Sequence, residues 1–105
     1  MAERNEMDIS IDKFIHEPAR LLILAHLATK EASEVSFNDL KSALDMTAGN
    51  LSVQLRNLEE VGYIKVDKAI EKRKTVTRVS MKPQGYEAFM QYLDNMEKII
   101  RTIKD

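Results

Sequence analysis

The chain has 105 residues, 44% of them hydrophobic and 31% charged, enough apolar content for one domain with a single core. It has no cysteine, which excludes disulfides, thiolate metal sites and cysteine nucleophiles. The formal net charge is −1 and the pI about 6.1, a balance that by itself argues against a nucleic-acid binder.

The N-terminal MAERNEMD is charged and lacks the apolar core of a signal peptide. The longest unbroken apolar run, Leu21 to Ala25, is far too short to span a bilayer. A soluble, cytoplasmic protein without a membrane partner is therefore expected. A short apolar-patterned stretch follows, with Ile9, Ile11, Phe14 and Ile15 inside an N-terminal segment over 8–17. Pro18 suits the first turn of a helix, where its missing N–H costs nothing. That helix is expected to reach about Thr29 and, being apolar almost all round, to lie in the core. Lys30 to Glu34 reads as a loop and Val35–Ser36 as a very short strand.

Ser36 followed by Asp39 resembles a capping box and predicts a helix to Ala43 or Leu44. Thr47 can cap the next helix after a turn of about three residues, and Gly62 ends it where a left-handed residue is wanted. On this second helix Leu51, Leu55, Leu58 and Val61 recur at helical spacing and predict one buried stripe. Its front carries Thr47, Gly49, Asn50, Ser52, Val53, Gln54, Arg56 and Asn57 without an acid, while Glu59 and Glu60 come only at its end. A merely solvated face usually mixes Glu and Lys along its length.

After Gly62 the period changes from helical to alternating. YIKVDKAI sets Ile64, Val66 and Ile70 apart from Lys65, Asp67 and Lys68. TVTRVSM sets Val76 and Arg78 on one face and Thr75, Thr77, Val79 and Met81 on the other. Two such runs around EKRK predict a hairpin with a flexible basic tip carrying Lys72, Arg73 and Lys74. Such a tip can also be no more than a solvated loop that keeps a sheet edge soluble. Pro83 opens a last helix whose Tyr86, Phe89, Leu93, Met96, Ile100 and Ile103 step alternately by three and four residues, the seam of a coiled coil. Tyr92 and Ile99 widen the stripe. About 20 helical residues make ~30 Å, longer than a small domain needs to cover itself. A partner helix from a second copy is expected there, completed by Ile11, Phe14 and Ile15; packing back on its own domain is the alternative.

Charge is unevenly spread. Residues 1–40 balance at −4, residues 41–82 at +4 and residues 83–105 at −1, so the positive charge collects around the acid-free helix and the hairpin. Two helices joined by a short turn, then a β-hairpin, is the element order of an α+β winged helix-turn-helix, with 36–61 as the helix pair, 63–81 as the wing and 83–104 as a dimerisation helix. In that arrangement the second helix enters the major groove and the wing lies against flanking backbone. Small polar residues allow close approach, and helix N–H groups favour phosphate oxygens. Arg56 suits a phosphate or guanine, and Asn50 and Gln54 are of the type that addresses adenine. Gly49 costs about 1 kcal/mol of helix stability relative to Ala; close approach to DNA and a loosely formed first turn both explain it.

The stretch over roughly residues 16 to 90, and above all GNLSVQLRNLEEVGYI and VSMKPQGYEAF, resembles the small winged-helix transcriptional regulators of prokaryotes, relatives of the MarR (multiple antibiotic resistance) and ArsR (arsenical resistance) regulators. The first motif is similar to their recognition helix running into the wing, the second to their second wing strand and dimer helix. Lys82 departs from the pattern, which more often has a threonine cap before the proline. The resemblance implies a homodimer that binds double-stranded DNA sequence-specifically, with Arg78 and the tip cations on the wing, and leaves open an unidentified small-molecule effector. His16 and His26 stand alone, without the clustered ligands that metal sensing needs, so neither a metal nor a cofactor is expected. No phosphate loop, paired carboxylates or nucleophile–base set is present, so catalysis is not expected. The rival reading is a winged helix used as a protein-interaction module without DNA binding, which the acidic pI favours.

Overall fold

The computed structural model describes residues 11–29 and 34–105; the expectations for Ile9 and for a loop over 30–33 lie outside them. Asp12 opens the described chain with a tight turn, its Oδ1 accepting from the Phe14 and Ile15 amides at 3.0 and 3.2 Å. Helix α1 (Pro18–Ala28) begins with proline in its first turn, and the Glu17 carboxylate accepts from the Arg20 amide at 2.9 Å. Its Ile23, Leu24 and Leu27 are buried, whereas Leu22 is half exposed, so this helix packs one face rather than its whole circumference.

Strand β1 (Glu34–Ser36) leads directly into helix α2 (Phe37–Leu44), which Ser36 caps by accepting from the Asp39 amide at 3.0 Å. A left-handed Asp45 ends it. Helix α3 (Ala48–Glu60) is capped by Thr47, whose hydroxyl accepts from the Asn50 amide at 3.1 Å. Gly62, at φ +87°, turns the chain out of α3. Because α3 ends at Glu60, Val61 falls outside the stripe of Leu51, Leu55 and Leu58 and is 41% exposed, which corrects its expected burial.

Strands β2 (Ile64–Glu71) and β3 (Lys74–Met81) form the hairpin, and with β1 they make an antiparallel sheet in the order β1-β3-β2. Val79 stands opposite both Val35 and Val66 and is fully buried at the centre of the sheet. The hairpin tip is tighter than expected. Only Lys72 and Arg73 lie between the strands, both left-handed at φ 52° and 67°, the geometry a two-residue turn needs to match strand twist.

Helix α4 (Pro83–Lys104) starts without a side-chain cap, as Lys82 led one to expect. It is held instead by its root. The Lys82 amide donates to the Tyr63 carbonyl at 3.0 Å, and α4 crosses so close that a Cβ at Gly85 would collide with that carbonyl. Phe89 and Tyr92 then join Ile15, Leu24 and Leu27 of α1, the α3 leucines, Ile64 and Val79 in one core. That placement corrects the assignment of Ile15 and Phe89 to a partner surface: Ile15 has no exposed area and Phe89 only 3%, so neither is available to a second copy.

Candidate nucleic-acid interface

The front of α3 is built by its two capped ends and its buried stripe. With Leu51, Leu55 and Leu58 turned inward, the helical period leaves Thr47, Gly49, Asn50, Ser52, Val53 and Arg56 exposed, and Gln54 and Asn57 half-buried at its flank. Nothing lies within 4 Å of a Cβ placed on Gly49, so the protein's own packing does not demand glycine there. The first turn is closed by the Thr47 cap. Arg56 has no acidic partner among the described residues.

Glu59 is engaged away from this front. Its carboxylate accepts from the Val66 amide at 3.3 Å and so occupies a donor on the edge strand β2. The position of Glu59 at the helix end thus has a structural reason as well as an electrostatic one, which the helical pattern alone did not reveal.

The hairpin register sorts the wing into two faces. One carries Lys65, Asp67, Ala69 and Glu71 with Lys74, Val76, Arg78 and Ser80; the other carries Ile64, Val66, Lys68 and Ile70 with Thr75, Thr77, Val79 and Met81. Lys68 therefore sides with the isoleucines and not with Lys65 and Asp67. Both wing acids fall on the first face, and both are paired there. Lys65 meets Asp67 at 3.2 Å, and Glu71 holds Arg78 bidentately at 2.6–3.1 Å. Those hydrogen bonds push the Arg78 guanidinium further above its already high value. Arg78 is thus braced within the wing, while the tip cations Lys72, Arg73 and Lys74 are exposed and have no acidic partner among the described residues. Ile70, next to the tip, is 80% exposed.

Arg20, which no sequence pattern singled out, joins the N-terminal turn to α3. Its guanidinium lies 4.2 Å from the centre of the Phe14 ring, its Nε donates to the Phe14 carbonyl at 2.7 Å, and its Nη1 donates to Gln54 Oε1 at 2.9 Å. Gln54 in turn donates to Asn50 Oδ1 at 3.4 Å. Behind them Tyr63 packs edge-on against Phe14, and its hydroxyl donates to Asp12 at 3.4 Å. Burial, then the Asp12 charge and hydrogen bond, raise the Tyr63 hydroxyl above its ordinary value and keep it a neutral donor. His16 meets the Tyr92 hydroxyl at 2.7 Å, tying the same turn to α4.

Of the residues expected at a partner surface, Ile11, Phe14 and Met96 pack half-buried against the protomer core. Tyr86, Leu93, Ile100 and Ile103 remain 41–73% exposed along α4. Among the described residues no three His, Asp or Glu side chains converge to hold a metal ion.

A family model described as a winged helix DNA-binding domain matches residues 19–100. An uncharacterized protein of Methanocaldococcus jannaschii is 33% identical over 92 residues, which cover 88% of this chain and 98% of that one. The solved structure of a transcriptional regulator homologue from Pyrococcus horikoshii superposes with a TM-score of 0.82 at 27% identity, over 96% of this chain and 95% of that one. Staphylococcus aureus MepR, solved in complex with DNA, shares the fold at a TM-score of 0.63 and 20% identity, over 96% of this chain and 68% of that one. Escherichia coli MarR shares the fold as well, at a TM-score of 0.68 and 16% identity over 85% of this chain and 66% of that one, in line with the resemblance carried by the recognition-helix motif, and the fold is that of transcriptional regulators. The chain belongs to the winged helix DNA-binding domain family.

Proposed function

We propose that the chain is a sequence-specific, double-stranded DNA-binding transcriptional regulator that acts as a homodimer, with residues 1–105 forming one winged-helix unit. In this reading α3 enters the major groove and the tip cations Lys72, Arg73 and Lys74 neutralise phosphates beside it. The observation that carries it is the sorting of charge. Every acid on the wing is paired, while Arg56 and three tip cations stay without an acidic partner among the described residues. A solvated surface has no reason to keep its acids occupied and its cations free in this way. MepR, of the same fold, has been captured on DNA, which supports the same use here.

The homodimer is supported by the exposed Tyr86, Leu93, Ile100 and Ile103, whose first three members stand one heptad apart. An open cleft of about 400 Å³ lined by Tyr63, Gln84, Glu87, Ala88 and Gln91 lies between the start of the wing and α4, a place where a small-molecule effector could bind. No described helix is long and apolar enough to cross a membrane, which suits a cytoplasmic regulator.

Titration of a labelled random duplex tests the reading. Binding is expected at low salt, weakening steeply as salt rises because neutralised phosphates release counterions. Replacing Lys72, Arg73 and Lys74 together by Ala should weaken all sequences alike and flatten the salt dependence by roughly three phosphates' worth. No binding at the lowest workable salt would move the function to a protein-interaction module.

A further inference from the structure

We propose that Arg20, a positioning residue on α1, determines which base Asn50 reads by fixing the orientation of two amides in series. The proposal rests on the DNA-binding reading above and names a specificity determinant within it.

The chemistry of the chain of contacts leaves one arrangement. A guanidinium donates and never accepts, so the Gln54 atom 2.9 Å from Arg20 Nη1 has to be the amide oxygen. The Gln54 nitrogen is then the end directed to Asn50, and a nitrogen donor requires the Asn50 oxygen at 3.4 Å. The oxygen and nitrogen of an amide diverge by about 120° from a shared carbon, so an oxygen held on one side leaves the NH2 group free on another. With its oxygen drawn back to Gln54, Asn50 therefore presents its NH2 group outward from an exposed position on the first turn of α3. The origin of the relay is itself held from two sides, by the Phe14 carbonyl at 2.7 Å and by the Phe14 ring.

An unconstrained asparagine suits adenine because it offers one donor and one acceptor to a base edge that offers the same. An asparagine that presents only donors suits guanine, whose N7 and O6 both accept, ahead of thymine, which offers the single acceptor O4 beside its methyl group, and is repelled by the amino group of adenine or cytosine. Asn50 is thus converted from an adenine-reading residue into a guanine-reading one by a side chain that touches no DNA.

Selection of bound duplexes from a random library, run on the wild type and three variants, tests this. Asn50→Ala marks the base position that Asn50 reads as the one whose preference flattens. At that position the wild type should favour guanine over adenine by about tenfold, within the usual range for a good base contact. Gln54→Glu offers Asn50 only acceptors and should swing its NH2 inward, replacing guanine by a base that presents an amino group. Because the carboxylate introduced by Gln54→Glu can itself accept from a cytosine amino group, the change is read only at the position that Asn50→Ala flattens. Arg20→Met keeps the length over Phe14 but frees Gln54, and the preference for guanine should fall below about threefold. If Arg20→Met fails to fold by circular dichroism, Gln54→Glu still decides. An adenine preference in the wild type, a position unchanged by Gln54→Glu, or no position flattened by Asn50→Ala would each overturn the proposal while DNA binding stands. Absence of any duplex binding by the wild type at low salt would remove the DNA-binding reading itself, and the proposal with it.

Discussion

Of the three glycines, Gly85 has the least room for a side chain. Its missing Cβ is what lets α4 cross the Tyr63 carbonyl, and the obstacle is backbone, which cannot swing aside as a side chain would. Gly85→Ala should therefore cost at least about 2 kcal/mol, at the upper end of overpacking penalties, and lower the thermal midpoint by roughly 10 °C. Gly49→Ala, in open space on a capped helix, should do the reverse and stabilise by up to about 1 kcal/mol. A thermal melt of both variants checks the pair, and equal effects would show that the α4 crossing is not rigid. The local signals at this scale were legible in sequence: Ser36 and Thr47 cap the helices they precede, and Gly62 is left-handed. Arg20 was not legible. Its partner Gln54 lies 34 positions away, and no local pattern connects them.

Among the elements, the wing shows a conflict between stability and charge. Its two-residue turn needs left-handed backbone at both positions, which favours Asn and Gly, yet Lys72 and Arg73 occupy them. An L side chain pays about 1–2 kcal/mol for that conformation. Lys72→Asn combined with Arg73→Gly should accordingly stabilise the domain by about 1 kcal/mol and raise the melting midpoint by about 4–8 °C. The same variant should bind duplex more weakly, with a shallower salt dependence by about two phosphates. A raised midpoint with an unchanged salt slope would show that the tip cations are not at the DNA. The alternation of apolar residues revealed both strands, but not this turn. The tip EKRK contains no glycine or asparagine to announce it, so a longer loop was the natural expectation. The pairing of Arg78 with Glu71 was hidden for the same reason, since it depends on the register that the short turn imposes.

For the molecule as a whole, the three-four spacing along α4 disclosed an apolar stripe but not what covers it. Phe89 and Tyr92 close the protomer's core with Met96 half-buried beside them, while Tyr86, Leu93, Ile100 and Ile103 are exposed. Spacing reports that a face is apolar; only tertiary packing divides it between self and partner. This division yields a sharp contrast. Leu93→Asp alters a side chain that is 41% exposed in the protomer, so it should leave the fold intact while burying an unpaired charge twice across a two-fold interface. A folded monomer of about 12.1 kDa by sedimentation is expected, against about twice that mass for the wild type. Phe89→Asp, in contrast, should abolish folding. The Leu93→Asp monomer should retain half-site binding and lose the gain from joining two half-sites spaced about 10 base pairs apart. A wild type that sediments as a monomer at micromolar concentration would exclude the dimer.

The crossing at Gly85 and Tyr63 also makes α4 a lever. The Lys82 amide fastens the base of the 22-residue shaft to the corner just after α3. A shaft of ~33 Å converts a 10° change in the angle between two such helices into a displacement of roughly 6 Å at its far end. One base-pair step is only about 3.4 Å. In the proposed dimer, a pivot of that size at the two-fold axis would throw one recognition helix out of register with its half-site.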